Sequence, residues 1–270
     1  MRDYGLCFWS LGDIPLTQKC EIAQNIGVDG VEIEGNIKEN PVNLKNTLES
    51  YDLKILSVTP DNVDISSPIN NVRELAVQYF LDLIDWAVKV GTQRICLHGE
   101  VGKVSGSSDS ELDWNNLVSS TKKIMDKALK SNIEVVFEVL NRYENHQVVT
   151  CKEALKLIDD VNNPNLTVLL DAYHMNIEEQ SPINALKQAG DKLGVYHVAD
   201  SNREQVGNGH ANIEEQIKTL HDINYKGPII MEIMATGPNP FTPVKGNDYI
   251  KVLTNFYKES LKLIKKWDQK

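Results

Sequence analysis

Residues 134–233 contain four short apolar runs, and each run carries a charged or imidazole side chain at or near its end. The runs are EVVFEVLN (Glu134–Asn141), LTVLLDA (Leu166–Ala172), VYHVAD (Val195–Asp200) and PIIMEI (Pro228–Ile233). Each run is too short for a helix and apolar enough to be buried on both faces, which is typical of strands in a parallel sheet. Longer amphipathic stretches separate the runs, so this part of the chain predicts βα units.

The same alternation continues toward the amino terminus. Four further strands are predicted at YGLCFWS (Tyr4–Ser10), GVEIE (Gly30–Glu34), KILSVTP (Lys54–Pro60) and RICLHG (Arg94–Gly99). Helices are predicted over Leu16–Ile26, Val42–Tyr51, Pro68–Val90, Leu112–Asn132, Thr150–Asp160, Pro182–Ala189, Ile213–Ile223 and Asp248–Trp267. Eight strands that alternate with eight helices predict an α/β protein with a single (β/α)8 TIM barrel over residues 1–270.

Two further features of the pattern bear on the fold. The first strand-to-helix junction, SLGDI (Ser10–Ile14), lacks the GxGxxG motif, which argues against an open dinucleotide-binding sheet. In the predicted helix Pro68–Val90, apolar side chains recur at three- and four-residue steps and predict one stripe that faces the core. That stripe consists of Leu75, Tyr79, Leu83, Trp86 and Val90.

The composition excludes several classes of protein. The chain is 41% hydrophobic and 24% charged, and its net charge of −10 disfavours nucleic acid as a partner. No apolar run approaches the ~18–20 residues that a membrane span needs, and the amino terminus lacks a long apolar signal segment. The four cysteines are scattered without CxxC spacing, so neither a disulfide framework nor a zinc knuckle is predicted. We expect a cytoplasmic protein with no membrane partner.

Four polar residues mark the ends of consecutive predicted strands: Glu138, Asp171, His197 and Glu232. Successive positions differ by 33, 26 and 35 residues, or one βα unit per step. Because the carboxyl ends of barrel strands meet at one face, we expect the four side chains to converge there. Three converging carboxylates repel one another unless a cation compensates. The set therefore predicts one divalent metal, and its oxygen-rich character favours Mn²⁺ or Mg²⁺, with Co²⁺ as an alternative.

The motifs around these residues resemble those of the ketose 3-epimerase family, which includes D-tagatose and D-psicose 3-epimerases and belongs to the xylose-isomerase-like TIM barrels. The resemblance lies in EVLNRYENH (Glu138–His146), DAYHMNIEE (Asp171–Glu179), HVADSNR (His197–Arg203) with GNGH (Gly207–His210), and Met231–Glu232. Over residues 1–130 it is limited to the strand rhythm and to Glu32 in GVEIE.

This resemblance has implications for the site and for the assembly. It implies that Glu138, Asp171, His197 and Glu232 bind one divalent metal, usually Mn²⁺ or Co²⁺. It also implies that Glu144, His174 and Arg203 hydrogen-bond the oxygens around C1 to C3 of a bound sugar. The expected assembly is a homodimer or homotetramer.

The chemistry that fits this constellation is an isomerase reaction, the C3 epimerisation of a ketose through a cis-enediolate. A divalent metal chelated by the sugar oxygens stabilises that intermediate as a Lewis acid. We expect Glu138 and Glu232 to be the catalytic acid and base, one on each face of the planar intermediate. Three histidines are further candidates for substrate contact: His98, His146 and His210.

The pocket around C4 to C6 of the sugar departs from the family pattern. The segment Ala235–Asp248 differs from that pattern. The residues predicted to line this part of the pocket are Phe8, Trp9, Glu100 and Trp114. A different sugar or a larger glycoside is therefore compatible with the sequence.

Other functions stay open beside the epimerase. A metal-dependent lyase or dehydratase acting on a 3-oxo-sugar or an inosose, including C-glycoside cleavage, would use the same enolate to expel a leaving group. A non-catalytic sugar-binding module is disfavoured by the paired acids and the complete ligand set. An endonuclease IV-like activity on abasic DNA is disfavoured by the net charge and by the lack of further metal-binding histidines.

Overall fold

The protein is described by a computed structural model over residues 2–239 and 242–269. Its sheet has eight parallel strands: β1 (Tyr4–Cys7), β2 (Gly30–Glu34), β3 (Lys54–Thr59), β4 (Arg94–Leu97), β5 (Glu134–Glu138), β6 (Leu166–Asp171), β7 (Leu193–Val198) and β8 (Ile229–Met231). The α-helices that connect or flank them are α1 (Leu16–Ile26), α2 (Pro41–Ser50), α3 (Asn70–Val90), α4 (Ser110–Lys130), α5 (Cys151–Val161), α6 (Ala172–Glu178), α7 (Pro182–Ala189), α8 (Ile213–Asp222) and α9 (Tyr249–Trp267).

The sheet rolls into a nearly closed barrel. Its strand order is β3-β2-β1-β8-β7-β6-β5-β4, and all hydrogen-bonded neighbours are parallel. Side chains link the two ends of this order, because the Arg94 guanidinium donates to the Leu56 carbonyl (3.0 Å) and the Thr92 hydroxyl donates to the Ile55 carbonyl (3.4 Å). The predicted (β/α)8 TIM barrel is confirmed.

The barrel interior is packed with apolar side chains rather than open. Seven strands each contribute one buried residue to an interior cluster, which comprises Cys7, Leu56, Cys96, Val136, Leu169, Val195 and Ile230. A second, larger apolar cluster lies between the outer face of the sheet and the helices. Because the interior is filled in this way, a ligand has room only at the rim, where the strand-to-helix loops form the usual functional face of such barrels.

Several predicted boundaries differ from those of the structure. Strand β1 ends at Cys7 because Phe8–Leu11 forms a turn of 3-10 helix. Strand β5 ends at Glu138, and α6 was not predicted. Helix α6 begins directly after β6, where the Asp171 side chain accepts a hydrogen bond from the Tyr173 backbone N–H (2.9 Å). Its seven residues are too few to show helical periodicity in the sequence.

The predicted stripe on α3 is wrong at its amino-terminal end. Leu75 is 64% exposed, whereas Ala76 and Phe80 are buried and face the core in its place. Leu83, Trp86 and Val90 are buried, as expected for the rest of the stripe, while Tyr79 is only partly buried. A shift of one residue turns the helix face by about 100°, so Phe80 takes the core position that the spacing had given to its neighbour.

Two general expectations can be compared with the described part of the chain. All four cysteines are buried free thiols. Within residues 2–239 and 242–269, no helix combines the length and the apolar character needed to cross a bilayer.

Candidate metal centre

Four side chains converge at the carboxyl ends of neighbouring strands. Glu138 ends β5, Asp171 ends β6, His197 lies in β7, and Glu232 directly follows β8. Asp171 and His197 are register partners in adjacent strands. One ligand atom from each of the four lies within 4.8 Å of the others, and all four residues are buried. Three carboxylates and one imidazole fit a divalent cation of the Mn²⁺, Co²⁺ or Mg²⁺ type.

The electrostatics of this cluster reflect its crowded carboxylates. Burial raises the pKa of Glu138 to about 8, and the nearby carboxylate of Glu232 adds to the effect. Burial also raises the pKa of Asp171 to about 6. It opposes ionisation of Glu232 too, but Arg203 and His197 outweigh it and lower the pKa of that carboxyl to about 2. A bound cation would offset the repulsion among the three groups.

Arg203 is a buried cation at the edge of the cluster. Its guanidinium donates to the Glu232 carboxylate and lies 3.3 Å from Asp171 Oδ2, over the Tyr173 ring at 4.6 Å from the centroid. Its φ of 61° lies in the left-handed region, which is uncommon for a residue other than glycine and recurs at functional sites. Its buried Nε has no hydrogen-bond partner among the described residues.

A hydrogen-bond chain fixes the orientation of His174. The Asn141 amide accepts from the Tyr143 backbone N–H (2.9 Å), so its Nδ2 faces Glu144 Oε1 (2.7 Å) and His174 Nδ1 (2.8 Å). Burial and the Arg203 charge lower the pKa of His174 to about 3, so its ring is neutral. Because Nδ1 accepts a hydrogen bond, the proton is assigned to Nε2.

With this assignment, the His174 Nε2–H is a hydrogen-bond donor next to the four candidate metal ligands. His174 Nε2 lies 3.6 Å from Asp171 Oδ2 and 4.0 Å from Glu138 Oε1.

Burial raises the pKa of Glu144 to about 7, which suits a carboxyl group that exchanges protons near neutral pH. Asn141 was missed in the sequence, although it lies in the motif EVLNRYENH, three residues before Glu144.

Glu32 is a second residue that sequence reasoning did not place in the site. It is 2% exposed, and its Oε2 lies 3.2 Å from His197 Nε2. The opposite ring nitrogen, Nδ1, lies 3.0 Å from Glu232 Oε2. The Thr59 hydroxyl donates to Glu32 Oε1 (2.6 Å) and fixes the carboxylate. The signals in the sequence were an acid within the apolar strand GVEIE and the limited resemblance of that segment to the family.

Two thiols lie beneath the cluster. Cys7 Sγ is 3.8 Å from Glu32 Oε1, and Cys96 Sγ is 3.5 Å from Glu138 Oε2. Burial, together with the neighbouring carboxylates, raises the pKa of both thiols well above the usual value. They are therefore protonated at neutral pH and act as weak donors to the carboxylates.

A cavity of about 320 Å³ opens above the cluster. Its lining residues are Trp9, Glu34, Thr59, Pro60, Asp61, His98, Val101, Glu138, Leu140, Glu144, His174, Arg203 and Glu232. All three residues predicted to contact the sugar, Glu144, His174 and Arg203, are therefore brought together with Glu138 and Glu232. His98 also lines this cavity, and its Nδ1 is bonded to the Gly99 carbonyl.

The other two candidate histidines, His146 and His210, are not among the residues that line this cavity, and their contact with substrate stays a prediction. His146 lies beside Gly106, where the loop after β4 folds over it. His210 is exposed, and its Nδ1 is 2.8 Å from the Ser201 hydroxyl. Both are the last residues of motifs that carry the family resemblance, but neither lines the cavity above the cluster.

Of the four residues predicted for the distal pocket, Trp9 alone lines this cavity. Trp114 instead donates to Asp160 (2.8 Å) and packs under Lys156. Glu100 and Phe8 are not among the lining residues described for it.

A larger cavity, about 540 Å³, lies at the opposite end of the barrel. Two of its cations, Lys54 and Arg94, are paired with Asp3 and Glu134. It contains none of the predicted site residues, so size alone does not locate the site.

Fold and site together define a TIM-barrel protein with a candidate divalent-metal centre at the carboxyl ends of its strands. Residues 20–258 match the xylose isomerase-like TIM barrel family, and the chain belongs to that family.

Three relatives that match this chain are named as sugar epimerases. The chain is 35% identical to the L-ribulose 3-epimerase of Methylomonas sp. over 149 residues, which cover 54% of this chain and 52% of the relative. It is 41% identical to the D-psicose 3-epimerase of Agrobacterium fabrum over 124 residues, 46% of this chain and 43% of the relative. The chain thus spans about half the length of these curated relatives. A 3-dehydro-D-guloside 4-epimerase of Escherichia coli is 26% identical over 83% of this chain and 89% of its own.

Solved structures resemble the whole barrel. The D-psicose 3-epimerase of Clostridium cellulolyticum H10, solved with D-tagatose, has a TM-score of 0.88 and 23% identity, covering 99% of this chain and 100% of the other. At that identity the likeness establishes the fold. The D-allulose 3-epimerase of Methylomonas sp., solved with D-allulose, has a TM-score of 0.86 and 26% identity, covering 98% of this chain and 96% of the other.

Proposed function

We propose that the protein is a metal-dependent sugar epimerase that inverts the C3 centre of a ketose. The observation that carries this proposal is the pair of carboxylates, Glu138 and Glu232, held in one buried cluster with Asp171 and His197 on the floor of the cavity. Relatives named L-ribulose and D-psicose 3-epimerases support the ketose class.

Glu138, Asp171, His197 and Glu232 would hold one divalent metal. Mn²⁺ is our first choice, with Co²⁺ and Mg²⁺ as alternatives. When bound, it would supply Lewis-acid stabilisation of negative charge on the sugar oxygens.

Two carboxylates from separate strands suit inversion because they can address opposite faces of a planar intermediate. One removes the C3 proton, and the electrons of that C–H bond form the C2–C3 double bond while the C2 oxygen takes the negative charge. The other, in its acid form, returns a proton to C3 from the opposite face. Which of Glu138 and Glu232 acts first depends on the starting configuration at C3.

Neighbouring side chains would orient the sugar. The Arg203 guanidinium and the His174 Nε2–H would donate hydrogen bonds to the sugar oxygens. Glu144 would transfer protons between hydroxyl groups. Trp9 and Leu140 add apolar surface to the cavity wall, which reduces access of water to the intermediate.

Deuterium exchange tests this function directly. The Mn²⁺-loaded protein is incubated with D-fructose and other ketoses in D2O, and NMR follows deuterium at C3 together with the epimer formed. Glu138→Gln and Glu232→Gln should each abolish exchange, whereas Glu111→Gln, an exposed acid on α4, serves as the control. Absence of exchange with every ketose would refute the function, and normal activity in either site variant would remove that residue from the acid/base pair.

A second candidate is epimerisation at C4 of a 3-keto-glycoside. It is favoured by the 4-epimerase relative, whose alignment covers most of both chains. The same carboxylates would then act on C4, the carbon next to the C3 ketone. Product analysis separates the two reactions, and loss of a leaving group would instead indicate the lyase or dehydratase. A cytoplasmic location and a homodimer or homotetramer stay predictions.

A further inference from the structure

A second cavity, about 470 Å³ in volume, adjoins the first on the side of β1, β2 and β3. We call it the outer cavity. Its lining residues are Phe8, Asp13, Ile14, Leu16, Lys19, Ile33, Glu34, Asn36, Glu39, Leu44 and Asp61. Glu34 and Asp61 line both cavities, so the outer cavity lies next to the cavity above the four-residue cluster. Most of its polar residues come from loops that follow strands, on the functional face of the barrel.

Lys19 is the residue that points to a ligand here. It lies in the first turn of α1 and is 9% exposed. Its ammonium is 3.9 Å from the Glu34 carboxylate, beyond hydrogen-bond distance, and 6.0 Å from the centroid of the Phe8 ring. Among the described residues, no acceptor forms a hydrogen bond with it. The side chain is 11% exposed, and an ammonium that forms no hydrogen bond within the protein has its donors free for acceptors on a ligand.

The charges around Lys19 restrict the kind of ligand. Four carboxylate residues, Asp13, Glu34, Glu39 and Asp61, line the outer cavity against this one ammonium. Their excess negative charge repels phosphate and carboxylate groups. Hydroxyl groups fit all of these partners, because they donate to carboxylates and accept from the Lys19 ammonium and from the Asn36 amide.

We propose that the outer cavity binds a second, uncharged sugar ring joined to the distal end of the substrate, so that the preferred substrate is a glycosylated keto-sugar. This inference rests on the proposed function, which places the keto-sugar in the cavity above Glu138 and Glu232. The two cavities have volumes of about 320 and 470 Å³, each within the range of sites that hold one small ligand.

Two glycosylated ketoses serve as probes: isomaltulose, which carries glucose on O6 of fructose, and lactulose, which carries galactose on O4. Deuterium exchange at C3 gives KM for each probe, for D-fructose and for D-fructose 6-phosphate with the Mn²⁺-loaded protein. At least one disaccharide should have a KM about fivefold below that of D-fructose, the effect of roughly one net hydrogen bond. The phosphate ester should have the highest KM of the four.

Substitutions separate the outer cavity from the metal centre. Lys19→Met keeps the length and the apolar stem but removes the ammonium, and it should raise KM for the preferred disaccharide about fivefold relative to KM for D-fructose. Asn36→Phe, at an exposed position, should obstruct the cavity and change the same ratio in the same direction. Lys38→Met replaces an exposed lysine two residues from Asn36. It is the matched control and should leave the ratio unchanged.

The possible results distinguish the two proposals. If D-fructose exchanges but both disaccharides have a higher KM, the outer cavity proposal is wrong and the epimerase function stands. If no ketose exchanges, the epimerase function fails, and calorimetric binding of the disaccharides to wild type, Lys19→Met and Asn36→Phe decides the outer cavity. Undetectable binding, or binding unchanged in both variants, would overturn it. Asn36→Phe keeps this test available if Lys19→Met does not fold.

Discussion

Replacing Glu32 by Gln should weaken metal binding, although Glu32 is not one of the predicted metal ligands. Its carboxylate lies 3.2 Å from His197 Nε2, while His197 Nδ1 faces Glu232 and the cluster. If Nδ1 ligates the metal, the Nε2–H donates to Glu32 and orients the ring, the usual arrangement for a metal-binding histidine. Gln keeps the shape of Glu32 but removes the charge from this buried hydrogen bond.

The size of the effect follows from the kind of bond that is weakened. A hydrogen bond to a charged group contributes about 1.5–3 kcal/mol, which corresponds to roughly 10- to 100-fold in affinity. We therefore expect the Mn²⁺ Kd of Glu32→Gln to rise by roughly 10- to 100-fold, measured by calorimetry and by the electron paramagnetic resonance signal of free Mn²⁺. Glu34→Gln, on the same strand with a side chain that is 63% exposed, is the control. A Kd for Glu32→Gln within twofold of wild type would refute the positioning role.

Three further predictions concern other parts of the structure. Arg203→Lys should lower kcat/KM for a ketose about 10- to 100-fold, because Lys cannot bridge Asp171 and Glu232 with a planar fork; steady-state kinetics on metal-loaded protein measure this, and a change below threefold would contradict it. Chelation of the metal should lower Tm, and Mn²⁺ should restore it, because a ligand at 1,000 times its Kd stabilises the fold by about 4 kcal/mol; an unchanged Tm in calorimetry would argue against the centre. Thr150→Ala should reduce the free energy of unfolding by about 1 kcal/mol in urea denaturation without changing Mn²⁺ affinity, since Thr150 and Glu153 form a capping box on α5; equal stability would show that the cap contributes nothing.

The fold and the cluster of four candidate metal ligands could be predicted from the sequence because both depend on regular spacing. Four charged or imidazole side chains at the ends of apolar runs are costly to bury singly, so their recurrence once per βα unit predicted a common site. Glu32 also lies in an apolar strand, but its partner His197 is 165 residues away, and no periodic pattern links the two.

Side-chain direction in loops is the part that spacing does not determine. His146 and His210 belong to the motifs in sequence, yet neither is among the residues that line the cavity. Lys19 is the converse case: it lines a cavity, although its ordinary position on an amphipathic helix does not mark it in the sequence. Its role at the outer cavity depends on how α1 packs beside the loops after β2 and β3.

The central claim is that Glu138 and Glu232 exchange a proton at C3 of a ketose with metal bound between them. Incubation of the Mn²⁺-loaded protein with D-fructose in D2O, followed by NMR at C3, tests it most directly. The account predicts one deuterium at C3, formation of the C3 epimer, and loss of both in Glu138→Gln and Glu232→Gln variants that still retain Mn²⁺. Exchange at another carbon only, or full exchange in either variant, would contradict it.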